Sequence, residues 1–277
     1  MRIYISCDME GTAGVCSWNQ CDPENRDEYP IYRRYMTQEV RAAIEGAREG
    51  GATEFLINDS HWSMRNLLWE ELPDDVRVVS GAPKPHSMAE RIDDGVDAVF
   101  LTGYHAKGGD GDGVLAHTFS DETVHRVTVN GTECSEALLV SALAGAHDVP
   151  VVLITGDRRI VDETLRALPW ATGVAVKDAI GFNAVNSLTP SAAQAAIRTG
   201  AREAVASIAR AKPFTFTSPV EVVLETVRVE NCDYIELMPG FERIAGRSVR
   251  FTAPDYATAY RAFVAAVRLG GAANVRA

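Results

Sequence analysis

RIYISCDMEG, Arg2 to Gly11, sets the pattern on which the rest of the chain is built. Arg2 to Cys7 is a short apolar run of the kind that forms a buried strand, and it ends abruptly on Asp8 and Glu10, two carboxylates separated by one residue. The same arrangement recurs twice. Thr53 to Asn58 is a second strand with Asn58-Asp59-Ser60-His61 at its end, and Asp97 to Thr102 is a third with Gly103-Tyr104-His105 directly after it. Between the first two, Tyr32, Met36, Val40, Ala43, Ile44 and Ala47 share one face of a helix from Ile31 to Gly50, which Gly50-Gly51 ends. Alternating strands and helices predict an α/β fold of three layers, a sheet flanked by helices. In such a sheet ligands gather beyond the carboxyl ends of the strands, so Asp8, Glu10, His61 and His105 are expected along one edge.

Further on, Val124 to Asn130 alternates apolar and polar residues and closes on Asn130-Gly131, a hairpin signal. Ser135 to Ala146 reads as a helix and Pro150 to Thr155 as a strand. Thr189-Pro190 starts a helix, with Thr189 as its cap, that runs to about Ala211. Strands at Val220 to Val227 and Ser248 to Thr252 and a helix from Asp255 to Leu269 complete the chain, with few candidate ligands among them. The expected division is a metal-binding α/β catalytic domain at 1–177 and a smaller C-terminal α+β subdomain at 178–277.

The bulk properties exclude some partners. With 27 basic against 38 acidic residues the net charge is −11, and no basic cluster longer than a pair occurs, which speaks against nucleic acid and against an anionic membrane. No stretch approaches the roughly 18 apolar residues of a membrane helix, and the N-terminal apolar run is too short for a signal peptide. Five dispersed cysteines, an odd number, fit reduced thiols in a cytoplasm better than a disulfide framework. Cys16 and Cys21 lack the second pair of ligands that a structural zinc site needs.

Two carboxylates and two imidazoles converging on one sheet edge suit zinc or a related divalent ion, and one carboxylate can bridge two cations about 3.5–4 Å apart. The alternative at this stage is plain: carboxylates capping loops and histidines hydrogen-bonded at a sheet edge. The order of motifs narrows the choice. SxDxEG (Ser6, Asp8, Glu10, Gly11), NDSH (Asn58 to His61), GYHA (Gly103 to Ala106), LAHT (Leu115 to Thr118) and an NG…E stretch (Asn130 to Glu136) follow one another. With DVPVVLITGD (Asp148 to Asp157), AVK (Ala175 to Lys177) and LMPG (Leu237 to Gly240), this series resembles the D-aminopeptidase DppA family, zinc metallopeptidase family M55, over nearly the whole chain.

The resemblance implies metal ligands at Asp8, Glu10, His61, His105 and Glu136, two zinc ions per subunit, and a catalytic histidine at His117 acting as nucleophile or base. Glu133 competes with Glu136, which is preferred because it directly precedes the helical run. It further implies release of the N-terminal residue from short peptides containing D-amino acids such as D-Ala, by a homo-decamer of stacked rings. An amidase or phosphoesterase using the same ligands, and an inactive peptide-binding homologue, are the competing readings. Lys107 to Gly113 (KGGDGDG) is a candidate mobile loop, or merely a flexible turn. Asn58, Asp59 and Arg65 are candidates for orienting the imidazoles, whereas His86, His125 and His147 are read as structural.

Overall fold

The computed structural model describes residues 1–274. Its strands are β1 (Arg2–Cys7), β2 (Glu54–Asp59), β3 (Arg77–Val79), β4 (Ala98–Tyr104), β5 (Val124–Val129), β6 (Thr132–Glu133), β7 (Val151–Asp157), β8 (Thr172–Gly181), β9 (Ala184–Ser187), β10 (Val220–Thr226), β11 (Glu242–Ala245) and β12 (Ser248–Ala253). Its helices are α1 (Trp18–Cys21), α2 (Tyr29–Glu49), α3 (Glu136–Ala146), α4 (Arg158–Ala167), α5 (Pro190–Ser207), α6 (Val229–Ile235) and α7 (Tyr256–Gly271).

The first sheet has the order β3-β2-β1-β4-β7-β8-β9, parallel throughout except for the last strand. From β1 the chain moves outward to β2 and β3, then returns to β4 on the other side of β1. The direction of winding therefore reverses between β1 and β4, the position where a crevice opens in sheets of this type. Side chains of β1 alternate across the sheet: Ile3, Ile5 and Cys7 pack with α2 and α5, whereas Tyr4 faces the core that holds α3, α4 and α7. The three layers expected from the sequence are thus present.

A second sheet, antiparallel in the order β11-β12-β10-β5-β6, shares the core of α3 and α7 through Val127, Val129, Val220, Val222 and Leu224. The β5–β6 hairpin turns at Asn130 and Gly131, both at positive φ, as the Asn-Gly signal requires. Position 177/178 lies inside β8, so the expected division does not follow the sheets. Strands β8 and β9 pair into the first sheet, while β5 and β6 from the first half join the second, because β5 pairs with β10 some ninety residues later.

Helix α4 and the β8–β9 hairpin lie where the sequence pattern gave no element. Thr189 does occupy the cap position of α5, but its hydroxyl makes no capping hydrogen bond, and α5 ends at Ser207 in a short 3-10 turn. Among the described residues no helix is long and apolar enough to cross a membrane.

Candidate metal centre

Glycines let the ends of β1 and β4 meet. A Cβ at Gly103 would lie 2.2 Å from the Asp8 carbonyl oxygen, and one at Gly11 only 1.8 Å from that of Tyr104. These close approaches, together with the Asp8 N–H donating to Thr102 O and the Gly11 N–H to Gly103 O at 2.8 Å each, set Asp8 and Glu10 beside His105. His61 arrives from the end of β2. Glu136 arrives as the first residue of α3, behind the capping Ser135 and at the helix terminus that favours a negative charge. All five residues are buried, with His117 at the rim, and the structure brings all six together.

The histidines are fixed in the same way. Nε2 of His61 lies 2.8 Å from Cys21 O, Nδ1 of His105 2.9 Å from Ala106 O, and Nδ1 of His117 2.8 Å from Leu115 O. A carbonyl only accepts, so each of these nitrogens carries the hydrogen, and the other ring nitrogen faces the carboxylates, where its lone pair is available to a cation. His61 Nδ1 faces Asp8 Oδ1 at 3.4 Å and Glu10 Oε2 at 3.0 Å. His105 Nε2 faces Asp8 Oδ2 at 3.3 Å and Glu136 Oε1 at 3.6 Å. His117 Nε2 stands 4.0 Å from both Glu10 Oε1 and Glu136 Oε1. Its ring stacks on His105 with centroids 4.1 Å apart and meets the edge of Trp18.

A cluster of lone pairs needs cations between them. Asp8 Oδ2 and His105 Nε2 are buried without a hydrogen-bond partner although they face one another. Two ligand atoms of one tetrahedral zinc lie about 3.3 Å apart, which is the spacing seen across Asp8, Glu10, His61, His105 and Glu136. With no cation between them, the same carboxylates and imidazoles hold one another in their charged forms. Burial pushes the Asp8 carboxyl up, but His105 and His61 outweigh it and hold the group well below the usual carboxylate range. Glu10 is lowered likewise, His61 prevailing over burial. Burial lowers both His61 and His105, yet Glu10 beside the first and Glu136 beside the second raise both well above the ordinary imidazole value.

Glu133, the competitor, lies exposed on β6 near Arg126, outside the cluster. Asp59 takes hydrogen bonds from the backbone of Asn66 and Leu67 and from the Asn66 side chain, which in turn binds His61 O at 2.7 Å. Asn58 accepts from the buried Lys84 ammonium at 2.6 Å. Arg65 points into solvent and orients nothing in the cluster. The glycine-rich loop at 107–113 is pinned: Lys107 pairs with Glu163 and Asp110, and Arg159 grips both oxygens of Asp110 at 3.0 Å. His86, His125 and His147 stay outside the cluster.

Several contributors escaped the sequence reading. Asp157 accepts from Ala106 N–H while capping α4, Glu39 accepts from Ala13 N–H, and Lys177 donates to the loop after Glu10. Cys21 places its sulfur within 4.8 Å of ligand atoms of Glu10 and His61. A cleft of about 530 Å³ adjoins the cluster, lined by Asp8, Glu10, His61, His117 and Glu136 together with Trp18, Trp62, Phe119 and Arg268.

Comparisons with known proteins identify the family. A family model described as D-aminopeptidase, peptidase family M55, matches residues 1–265. A D-aminopeptidase of Bacillus subtilis (strain 168) is 33% identical over 270 residues, 97% of each chain. A solved structure described as a Zn-dependent D-aminopeptidase DppA from Bacillus subtilis, a self-compartmentalizing protease, superposes with a TM-score of 0.94 at 32% identity, covering 98% of both chains.

Proposed function

Since the chain belongs to the D-aminopeptidase family of metallopeptidases, M55, we propose that it is a di-zinc aminopeptidase that removes the N-terminal residue of short peptides containing D-amino acids, D-Ala dipeptides among them. One observation carries this reading: three imidazoles, each anchored by one nitrogen on a backbone carbonyl, turn the other nitrogen onto three buried carboxylates. Asp8 offers Oδ1 towards His61 and Oδ2 towards His105, which supports a bridging role. Asp8, Glu10 and His61 would hold one ion, and Asp8, His105 and Glu136 the other. The bound ions supply Lewis acidity towards the scissile carbonyl and make water more acidic.

His117 takes and returns the proton at Nε2. Its Nδ1 hydrogen stays committed to Leu115 O, which fixes the tautomer, and stacking on His105 fixes the plane of the ring. The cleft of about 530 Å³ beside these groups, lined by both aromatic and polar side chains, leaves room for a short chain. A homo-oligomer, a decamer by family likeness, is supported by the exposed Ile180, Phe182 and Leu188 around the β8–β9 hairpin and by the description of the Bacillus structure as self-compartmentalizing. Five free cysteines support a cytoplasmic setting.

Metal analysis of the purified protein, combined with an assay over D-Ala-containing dipeptides, their L-counterparts and a generic phosphate ester, tests the proposal. About two zinc ions per subunit and turnover of the D-peptides are expected. Turnover of the ester alone supports a phosphoesterase, and tight peptide binding by zinc-loaded protein without cleavage supports a binding protein.

A further inference from the structure

Lys177, near the middle of β8, is 2% exposed, and the chemistry proposed above makes no use of it. Its Nζ donates three hydrogen bonds, all to one stretch of backbone: to Glu10 O, to Thr12 O at 2.9 Å and to Val15 O at 2.7 Å. These use every hydrogen on the ammonium. Among the described residues no carboxylate pairs with it within ion-pair distance, so a full charge is buried for the sake of three carbonyls. The stretch it grips begins at Glu10. Other contacts hold the same loop by its N–H groups: Gly11 to Gly103 O, Ala13 to Glu39 Oε1 and Gly14 to Ser187 Oγ, each at 2.8 Å. Among the described residues only Lys177 takes hold of Glu10's own carbonyl, and it reaches there from a strand 167 residues away.

We propose that Lys177 is a positioning residue: by drawing the carbonyls of Glu10, Thr12 and Val15 to one point, it keeps the Glu10 carboxylate turned towards His61 and His117, and so preforms one cation site. The inference rests on the metal-site reading above. A peptide loop that carries a ligand has many orientations open to it, and a buried ammonium that collects three of its carbonyls removes most of them. Residues that orient ligands typically account for 10–100-fold in metal affinity or activity.

The test compares Lys177→Met with Val176→Ala, a truncation of the neighbouring buried side chain, which packs in the core of α2 and α5 and leaves the loop untouched. Zinc affinity is read by competition with a chromophoric chelator, and kcat and KM are read on a D-Ala dipeptide. For Lys177→Met zinc affinity is expected to fall about tenfold or more, with the loss in turnover mainly in kcat. Val176→Ala should keep the zinc affinity of the wild type even where it melts earlier. A folded Lys177→Met that binds zinc as tightly as the wild type overturns the assignment, as does an equal loss in Val176→Ala. Should Lys177→Met fail to fold, Lys177→Gln, which keeps a neutral donor, is read in its place. Failure of both to refold in saturating zinc makes Lys177 a requirement of the fold and overturns a role specific to Glu10. Wild-type protein that binds no zinc overturns the metal-site reading itself, whereas zinc held equally by wild type and variant overturns the positioning role alone.

Discussion

Glu39 gives a quantitative test of how tightly the loop after β1 is packed. It sits on α2 at 2% exposure; Oε1 accepts from Ala13 N–H at 2.8 Å, and Oε2 is buried with no partner among the described residues. Burial pushes its pKa from 4.5 up to about 7, against the opposing pull of the Ala13 hydrogen bond and the positive charge of Lys177. Between those two values the folded protein holds a proton that the unfolded chain has released. Stability therefore declines as the pH rises through this window, by ~1.4 kcal/mol per unit. The accumulated cost at pH 7 and above is about 3 kcal/mol. Glu39→Gln keeps an oxygen for Ala13 N–H and stays neutral at every pH. It should match the wild type below pH 4.5 and exceed it by about 3 kcal/mol at pH 8, roughly 6–12 °C in Tm. Urea unfolding of both metal-stripped proteins at half-unit steps from pH 4 to 8 measures this, since titrations common to both cancel in the difference. Two stability curves that run parallel over the whole range would refute the assignment of a raised pKa to Glu39.

Other outcomes follow from the same geometry. His117→Ala should lower kcat on a D-Ala dipeptide by about 10²–10⁴ with zinc content unchanged, as steady-state kinetics beside metal analysis would register; an unaffected kcat removes His117 from the proton transfer. Glu136→Gln should weaken zinc binding by about tenfold or more in chelator competition, whereas Glu133→Gln on exposed β6 should leave zinc affinity and stability within about 0.5 kcal/mol of the wild type. The reverse order of effects would transfer the ligand role to Glu133. Gly103→Ala places a Cβ 2.2 Å from the Asp8 carbonyl oxygen at a φ of +70°. Denaturant unfolding should show a loss of about 3–5 kcal/mol and metal analysis a drop in zinc, and a variant with the stability and metal content of the wild type would contradict the close packing of β1 against β4.

What the sequence revealed and what it hid have a common physical origin. Strands β1, β2 and β4 are covered on both faces, so each is a nearly unbroken apolar run, and the polar residues after each run mark the carboxyl edge of the sheet. Fold class and the first candidate ligands therefore came from one signal. Strand β8 has only Val176 and Lys177 fully buried, so neither an apolar run nor a clean alternation marks it. Helix α4 buries just Ile160, Val161 and Thr164, and its charges are spent on distant partners, Arg159 on Asp110 and Glu163 on Lys107. A charged stretch looks solvent-facing until its partners are known, and the loop those charges pin looked mobile because four of its seven residues are glycine. Lys177 is the extreme case: a strand lysine reads as exposed, and only backbone carbonyls more than 160 residues away reverse that reading.

The proposed pair of ions can also be argued from charge. Asp8, Glu10 and Glu136 are buried together, and the imidazoles facing them are neutral when their inward nitrogens bind metal. One divalent cation would leave a net negative charge in a water-poor pocket, the costly condition that an unpartnered Asp8 Oδ2 already signals. A second cation reverses the sign and leaves a positive charge facing the cleft, where an electron-rich carbonyl would be drawn. The two oxygens of Asp8, each 3.3–3.4 Å from a different histidine, would let the candidate ligands form two sets of three that share this one carboxylate. Charge neutralisation and ligand geometry thus both support the proposed pair of ions. A single tightly bound zinc in fully active protein would break both arguments at once.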